Sequence, residues 1–422
     1  MVVDELLDAS NVEWAVTPGS ATSNSRTEFG ECIVNVAALD KRQSRRTLAV
    51  CSVAHAVHDG FTDLLNVLYP MLQAQFGLSY TAIGAIKAAY SSAMAMGQIP
   101  SGRLADRWGS ALLLALGTAI AALGYIAAGL AGTLASVSFG LILAGLGGAT
   151  QHPIASSLVA SAYAGRNSRS ALGTYNFAGD LGKVAVPAAF ALLATLVGWQ
   201  YALLCVGFAG VLTAGFIIAL LTQSTQQASG VAAKGHLGRD QPWAFRILLF
   251  IHVADNLVRT GVMVFLPFLL RDRGADLPTI GLGLSLLFAG GAAGKLVFGW
   301  AGQRVGVVPT VVFTELVTAA MIVALAVSPL PVAACLALLP LLGLTVNGTS
   351  SVLYGTVPEF VAPEKRTYAF AVFYTGGSIA GAVSPVAFGV VADIAGLTSS
   401  LVIVALICLA TTPLVFSLRK AF

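Results

Sequence analysis

The chain has 422 residues, 57% of them apolar and only 10% charged, with a mean hydropathy of +0.83. Soluble domains carry about 25% charged residues, so this composition excludes an ordinary soluble enzyme and points to a chain that lies mostly in a bilayer. The net charge of +4 is too small to suggest a nucleic-acid partner, and its meaning lies in where the charges fall.

In chain order, residues 1–46 come first. They hold Asp4, Glu5, Asp8, Glu13, Glu28, Glu31 and Asp40 and end in the basic cluster Lys41, Arg42, Arg45 and Arg46. No apolar stretch precedes that cluster, so no cleavable signal peptide is expected. The segment reads as a disordered cytoplasmic tail. Six apolar spans follow near 47–72, 79–101, 110–131, 134–162, 170–196 and 199–221. Each is long enough to cross a bilayer, which takes about 20 residues. A polar stretch over 222–242 separates them from six more, near 243–270, 278–301, 308–328, 331–357, 366–392 and 397–417.

The expected fold is therefore an all-α integral membrane protein. It has twelve transmembrane helices in two six-helix bundles, 47–221 and 243–422, joined by a cytoplasmic loop. Placing both termini in the cytoplasm puts fifteen basic residues on that side, against Arg271 and Arg273 outside. Such asymmetry marks the cytoplasmic face and implies a multi-pass protein of the inner membrane.

The halves repeat one another. His55 and His252, Pro70 and Pro267, Gly102 and Gly299, Gly109 and Gly306, and Arg169 and Arg366 all share an offset of 197 residues, and Pro187 and Pro385 are 198 apart. An even number of spans per repeat makes the repeats parallel, related by an axis along the membrane normal. The substrate site of such folds lies near the midplane between them. Cys32, Cys51, Cys205, Cys335 and Cys408 are scattered singly, so neither a metal site nor a disulfide framework is expected.

The segment Gly102-Arg103-Leu104-Ala105-Asp106-Arg107-Trp108-Gly109 resembles the signature loop between helices two and three of the major facilitator superfamily. The resemblance implies a gating role for Gly102, Asp106, Arg107 and Gly109, in which the acid helps hold one face closed. The second-half counterpart, Gly299 to Gly306, has Gln303 where that acid would be. His55-Ala56-Val57-His58-Asp59 and Gln151-His152-Pro153-Ile154-Ala155-Ser156 resemble the fosmidomycin-resistance branch of exporters. Two departures accompany this likeness. Helix four lacks the arginine motif common in proton-coupled members, and Gly179-Asp180-Leu181-Gly182-Lys183 does not match the antiporter motif of helix five.

Ionisable residues inside spans are costly and mark ion or substrate paths. His55, Asp59, Asp63 and Asn66 recur at helical spacing on one face of the first span. Lys87, Ser91, Met94 and Gln98 do so on the second, Asn176, Asp180 and Lys183 on the fifth, and His252, Asp255 and Arg259 on the seventh. Asp59, Asp63, His55, His152, Asp180 and Glu315 are the candidates for proton coupling, since carboxyls and imidazoles can be tuned to titrate near neutrality. Lys87, Lys183, Arg259, Lys295, Asp255, Asn176 and Tyr354 are the candidate substrate-binding residues. Asp180 and Asp255 stand at pairing distance in sequence from Lys183 and Arg259. Lys87 and Lys295 have no acid within four residues, so an anionic substrate is their expected partner.

The leading expectation is a proton-coupled, monomeric transporter of a small anionic organic or phosphorylated solute, with export implied by the resemblance. The competing readings are a multidrug exporter for apolar cations and a membrane sensor that does not transport. No nucleotide-binding loop, nucleophile elbow or cofactor motif suggests an enzyme.

Overall fold

A computed structural model of the chain describes residues 23–163, 166–221, 240–362 and 366–422. Most of the central loop expected over 222–242 lies outside the described residues. The chain divides into Met1–Arg45 and the compact unit Arg46–Phe422, and all packing below belongs to the second.

Every regular element among the described residues is a helix, and two of the expected spans are interrupted. α1 runs over Ser23–Asp63 and α2 over Leu65–Phe76. The tail expected to be disordered thus differs over 23–46, where Ala37, Ala38, Leu39, Lys41, Arg42 and Gln43 are strong helix formers with no proline among them; residues 1–22 lie outside the described residues. α3 spans Tyr80–Trp108, α4 Ser110–Gly129 and α5 Leu134–Gly148. A π-helical turn at Gln151–Ala155 then leads into α6, Ser156–Ala162. Pro153 lacks the N–H that an α-helix needs there, and such bulges re-aim side chains. α7 (Arg166–Val197) and α8 (Trp199–Leu221) complete this half. α9 (Pro242–Asp272), α10 (Leu277–Arg304), α11 (Val307–Val327), α12 (Val332–Thr356), α13 (Arg366–Ala395) and α14 (Leu397–Ser417) form the other.

Ten helices among the described residues are long and apolar enough to cross a membrane. The first two expected spans are helical but fall outside that set. One carries His55, His58, Asp59 and Asp63, the other Lys87, Ser91, Ser92 and Gln98. Large apolar side chains such as Leu123, Phe139, Leu212 and Phe250 are exposed, as a lipid-facing surface requires.

α3 packs on α13, and α10 on α7; α4 packs on α5 and α8, and α11 on α12 and α14. The first two contacts repeat with the sequence offset. A Cβ added to Gly84 would collide with the Pro385 carbonyl oxygen, and one added to Gly281 would lie 3.2 Å from that of Pro187. Small residues let backbones approach this closely in lipid. Gly109 and Gly306, also one offset apart, turn the chain at φ +87° and +104°, a conformation that disfavours other residues.

Candidate functional site

Between α1, α3, α7, α9 and α10 lies a cavity of about 350 Å³, within the range of small-molecule sites. Its polar wall is Asp59, Asp63, Lys87, Asp180, Lys183, Arg259 and Lys295, and Met94, Met263, Val264 and Phe288 supply an apolar side. The four polar stripes of the sequence thus converge. His152 joins them because the π-helical turn aims it inward; His55 is buried directly behind Asp59.

The ion pairs differ from those the sequence spacing implied. Asp180 does not pair with Lys183 on its own helix; its Oδ1 accepts from Lys295 Nζ at 2.6 Å across the cavity. Lys295 is therefore not the unpaired cation its sequence neighbourhood suggested. Lys183 Nζ lies 3.2 Å from Asp59 Oδ2 instead. Asp255 does not pair with Arg259; Ser350 Oγ donates to its Oδ2 at 2.6 Å, and Arg259 bonds Asn256 Oδ1. For Asp180, Lys183 and Asp255 the partner stands on another helix, nearer the polar tip than the residue one turn away, whereas Arg259 bonds an amide on its own helix. Lys87 and Arg259 form no ion pair among the described residues. Lys87 lies over the Tyr90 ring at 5.5 Å, and Arg259 Nε is buried without a hydrogen-bond partner.

Four cations face three carboxylates on the wall, leaving one positive charge in excess with the histidines neutral. Asp63 has Asn66 as its hydrogen-bond partner, at 3.3 Å. His55 Nε2 is 3.3 Å and His152 Nε2 3.8 Å from the Asp59 carboxylate. These three residues offer ligand atoms within 4.8 Å of one another, and the carboxylate among them already carries the Lys183 ammonium.

Other candidates stand apart. Asn176 is exposed and does not line the cavity, and Asp255 is buried beside it. Tyr354 packs against His252, Phe373 and Tyr374. Glu315 is buried between α11 and α14, where Cys408 Sγ donates to its Oε2 at 2.5 Å. The expected loop is helical as far as Trp108: Gly102 and an exposed Arg107 lie inside α3, Gly109 makes the α3–α4 turn, and the side chain of Asp106 lies outside the described residues.

Thr62, Thr260, Ser378 and Gly381 line the cavity without having been singled out from sequence. The repeat could have found two of them, since Ser378 and Gly381 stand 198 residues after Asp180 and Lys183.

Helices with this polar centre and apolar exterior match a known family model. The description Major Facilitator Superfamily fits residues 51–246 and 248–421. The chain belongs to that superfamily. It is 24% identical over 302 residues, 68% of each chain, to the Fosmidomycin resistance protein of Escherichia coli (strain K12). It is 23% identical over 375 residues to the Probable 4-methylmuconolactone transporter of Cupriavidus pinatubonensis, covering 85% of this chain and 86% of that one. The Probable L-galactonate transporter of Escherichia coli (strain K12) is 25% identical over 256 residues, 56% of each. Among solved structures, a bacterial homolog of the human lysosomal transporter Spinster, inward-facing and occupied, superposes with a TM-score of 0.76 at 16% identity, over 89% of this chain and 96% of that one. This major facilitator protein is thus a multi-span membrane transporter of a small solute, not an enzyme.

Proposed function

We propose that the chain carries a small organic anion across the inner membrane by proton-coupled alternating access, using twelve spans in two six-helix bundles with both termini cytoplasmic. The observation that carries this reading is the excess of positive charge on the cavity wall, with Lys87 and Arg259 facing it from opposite halves and forming no ion pair among the described residues. A buried cation without a counter-ion is costly, and an anionic solute would supply one. The named cargo of one relative, L-galactonate, is itself a carboxylate. The gating role of Gly102, Asp106, Arg107 and Gly109 is part of the same reading. Export rests on the fosmidomycin-resistance likeness alone, since no residue of the cavity speaks for it.

The test is a thermal-shift screen of purified protein against organic carboxylates, phosphonates and their uncharged amides, followed by reconstitution of any stabilising compound under an imposed pH gradient. Anions should raise the melting temperature and their amides should not. Stabilisation by lipophilic cations alone would replace this reading with that of a multidrug exporter.

A further inference from the structure

The hydrogen-bond chemistry of the buried His55 requires a proton that the other cavity contacts do not. Its ring stacks on Tyr175 with centroids 4.0 Å apart, and its Nδ1 lies 2.9 Å from the Tyr175 backbone carbonyl oxygen. A carbonyl oxygen only accepts, so Nδ1 carries a hydrogen. A neutral ring would then present a bare lone pair at Nε2. That atom faces Asp59 Oδ2 at 3.3 Å, and a lone pair set against a carboxylate oxygen is repulsive. The contact is favourable once one further proton sits between them, whether drawn as imidazolium and carboxylate or as imidazole and carboxylic acid. The ring is held in place, because a Cβ on Gly179 would lie 2.7 Å from its Cε1 and 2.8 Å from Asp59 Oδ2.

The second half builds the same frame without that proton. His252 stacks on Phe373 at 3.7 Å and bonds its backbone, and Gly377 leaves room beneath the ring as Gly179 does. At the place of Asp59 stands Asn256, whose Nδ2 lies 3.2 Å from the ring nitrogens. An amide N–H satisfies a neutral imidazole. The exchange of carboxylate for amide leaves the titrating version in one half only.

Several charged groups surround the pair. Asp63 and His58 lie on the same helix, His152 on the π-helical turn, and Lys183 and Asp180 on α7. Lys183 is the nearest, at 3.2 Å from the same carboxylate oxygen as His55, with His152 3.8 Å from the other oxygen, while Asp180 is engaged by Lys295. His152, with its side chain 46% exposed, offers a route from Asp59 to the cavity water. When the proton leaves by that route, Lys183 remains to neutralise the carboxylate. When an anion in the cavity draws the ammonium away, the carboxylate is left needing its proton.

We infer that His55 and Asp59 hold one dissociable proton, and that Lys183 links it to the anion so that proton and solute bind together and travel in the same direction. This rests on the anion reading above. Linkage is reciprocal, so the proton strengthens anion binding as the anion strengthens proton binding. Under an inward proton gradient such a cycle brings the solute in, where the likeness to an exporter implied the opposite.

Two measurements test it. Nitrogen-15 NMR of histidine-labelled protein, with His55 signals identified by their loss in His55→Gln, should show the Nε2 signal changing with pH as the shared proton leaves while Nδ1 stays protonated. In Asp59→Asn the ring should stay neutral, like His252 in the unaltered protein. A His55 that is neutral throughout and unmoved by Asp59→Asn overturns the proton site. The second measurement is binding of L-galactonate and benzoate, whose own charge is constant from pH 6 to 8. Affinity should be roughly tenfold tighter at pH 6, and Lys183→Gln should flatten that dependence. Tighter binding at pH 8 overturns the shared direction. Failure of every anion in both the screen and this assay sinks the anion reading and the linkage with it, and the NMR result still decides the proton site by itself.

Discussion

At the scale of single residues, the cavity separates cations that bind from cations that brace. Among the described residues Lys87 makes no ion pair and lies over the Tyr90 ring at 5.5 Å, so its charge is available to a solute. Lys87→Ala should raise the half-saturation constant for an organic anion about ten- to a hundredfold, the worth of one hydrogen bond to a charged group, and leave an uncharged analogue nearly unaffected. Flux measurements on both solutes check this; equal losses would give Lys87 a structural role. Lys295 is the opposite case, engaged by Asp180 at 2.6 Å. Lys295→Ala leaves a nearly buried carboxylate unpaired and should cost about 1–3 kcal/mol of stability, allowing for the partial exposure of the lysine. Adding Asp180→Asn should recover part of that loss. Thermal unfolding of the two single variants and the double variant measures the coupling, and strict additivity would contradict it. The charged residues of the site were legible in the sequence because an ionisable group in an apolar span stands out whatever its partners. The pairing was not, because partners on other helices depend on packing that periodicity does not contain. The His55 contact to a backbone carbonyl of another helix left no sequence signal except its repeat at His252 and Phe373.

Among helices, α3 and α13 make the contact with the clearest consequence. The Asp393 carboxylate accepts from the backbone N–H of Tyr80 at 2.8 Å and of Thr81 at 2.9 Å, and from the Thr81 hydroxyl at 2.5 Å. It thereby places a negative charge on the α3 N-terminus, where the helix dipole and free N–H groups favour one. Near it Gly84 lies against Pro385 and Gly389 against Tyr80. We infer that these contacts close one end of the cavity, so weakening them should favour the state in which that end is open. Asp393→Asn keeps the shape and removes the charge, and a cost of about 1 kcal/mol moves the balance roughly fivefold. Gly84→Leu puts a side chain where none fits and should move it further in the same direction. Distances between spin labels on α3 and α13 at that end would report both shifts, and unchanged distributions in Gly84→Leu would refute the closure. The helices themselves were largely readable from apolar length. The break after Asp63 and the π-helical turn were not, although His152-Pro153 marks the latter: a proline forces the local hydrogen-bond pattern to change without saying which way the chain will turn.

Across the whole molecule, one internal repeat makes the two ends of the cavity different. The faces that meet at Gly84 and Pro385, and at Gly281 and Ala188, continue along the same helices toward Gly109 and Gly306. Toward that end Ile99 and Leu296, one offset apart on α3 and α10, are 73% and 72% exposed, and Phe177 and Tyr374 on α7 and α13 are exposed as well. We infer from this exposure that the helices part toward the end that carries the signature loop. We propose that this end faces the cytoplasm, since the charge rule applied to the sequence puts the signature loop on that side. On that proposal the structure is an inward-open state. A cysteine at Ile99 or Leu296, in a background with the native cysteines replaced, should therefore react with a membrane-impermeant maleimide in inside-out vesicles and be protected in right-side-out ones. A solute that closes the cavity should slow the reaction, because the same two faces would then be buried against each other as their other ends are now. Labelling from the external side alone would reverse the assigned orientation, and labelling at equal rates with and without a bound solute would mean that the parting of these helices has no part in transport.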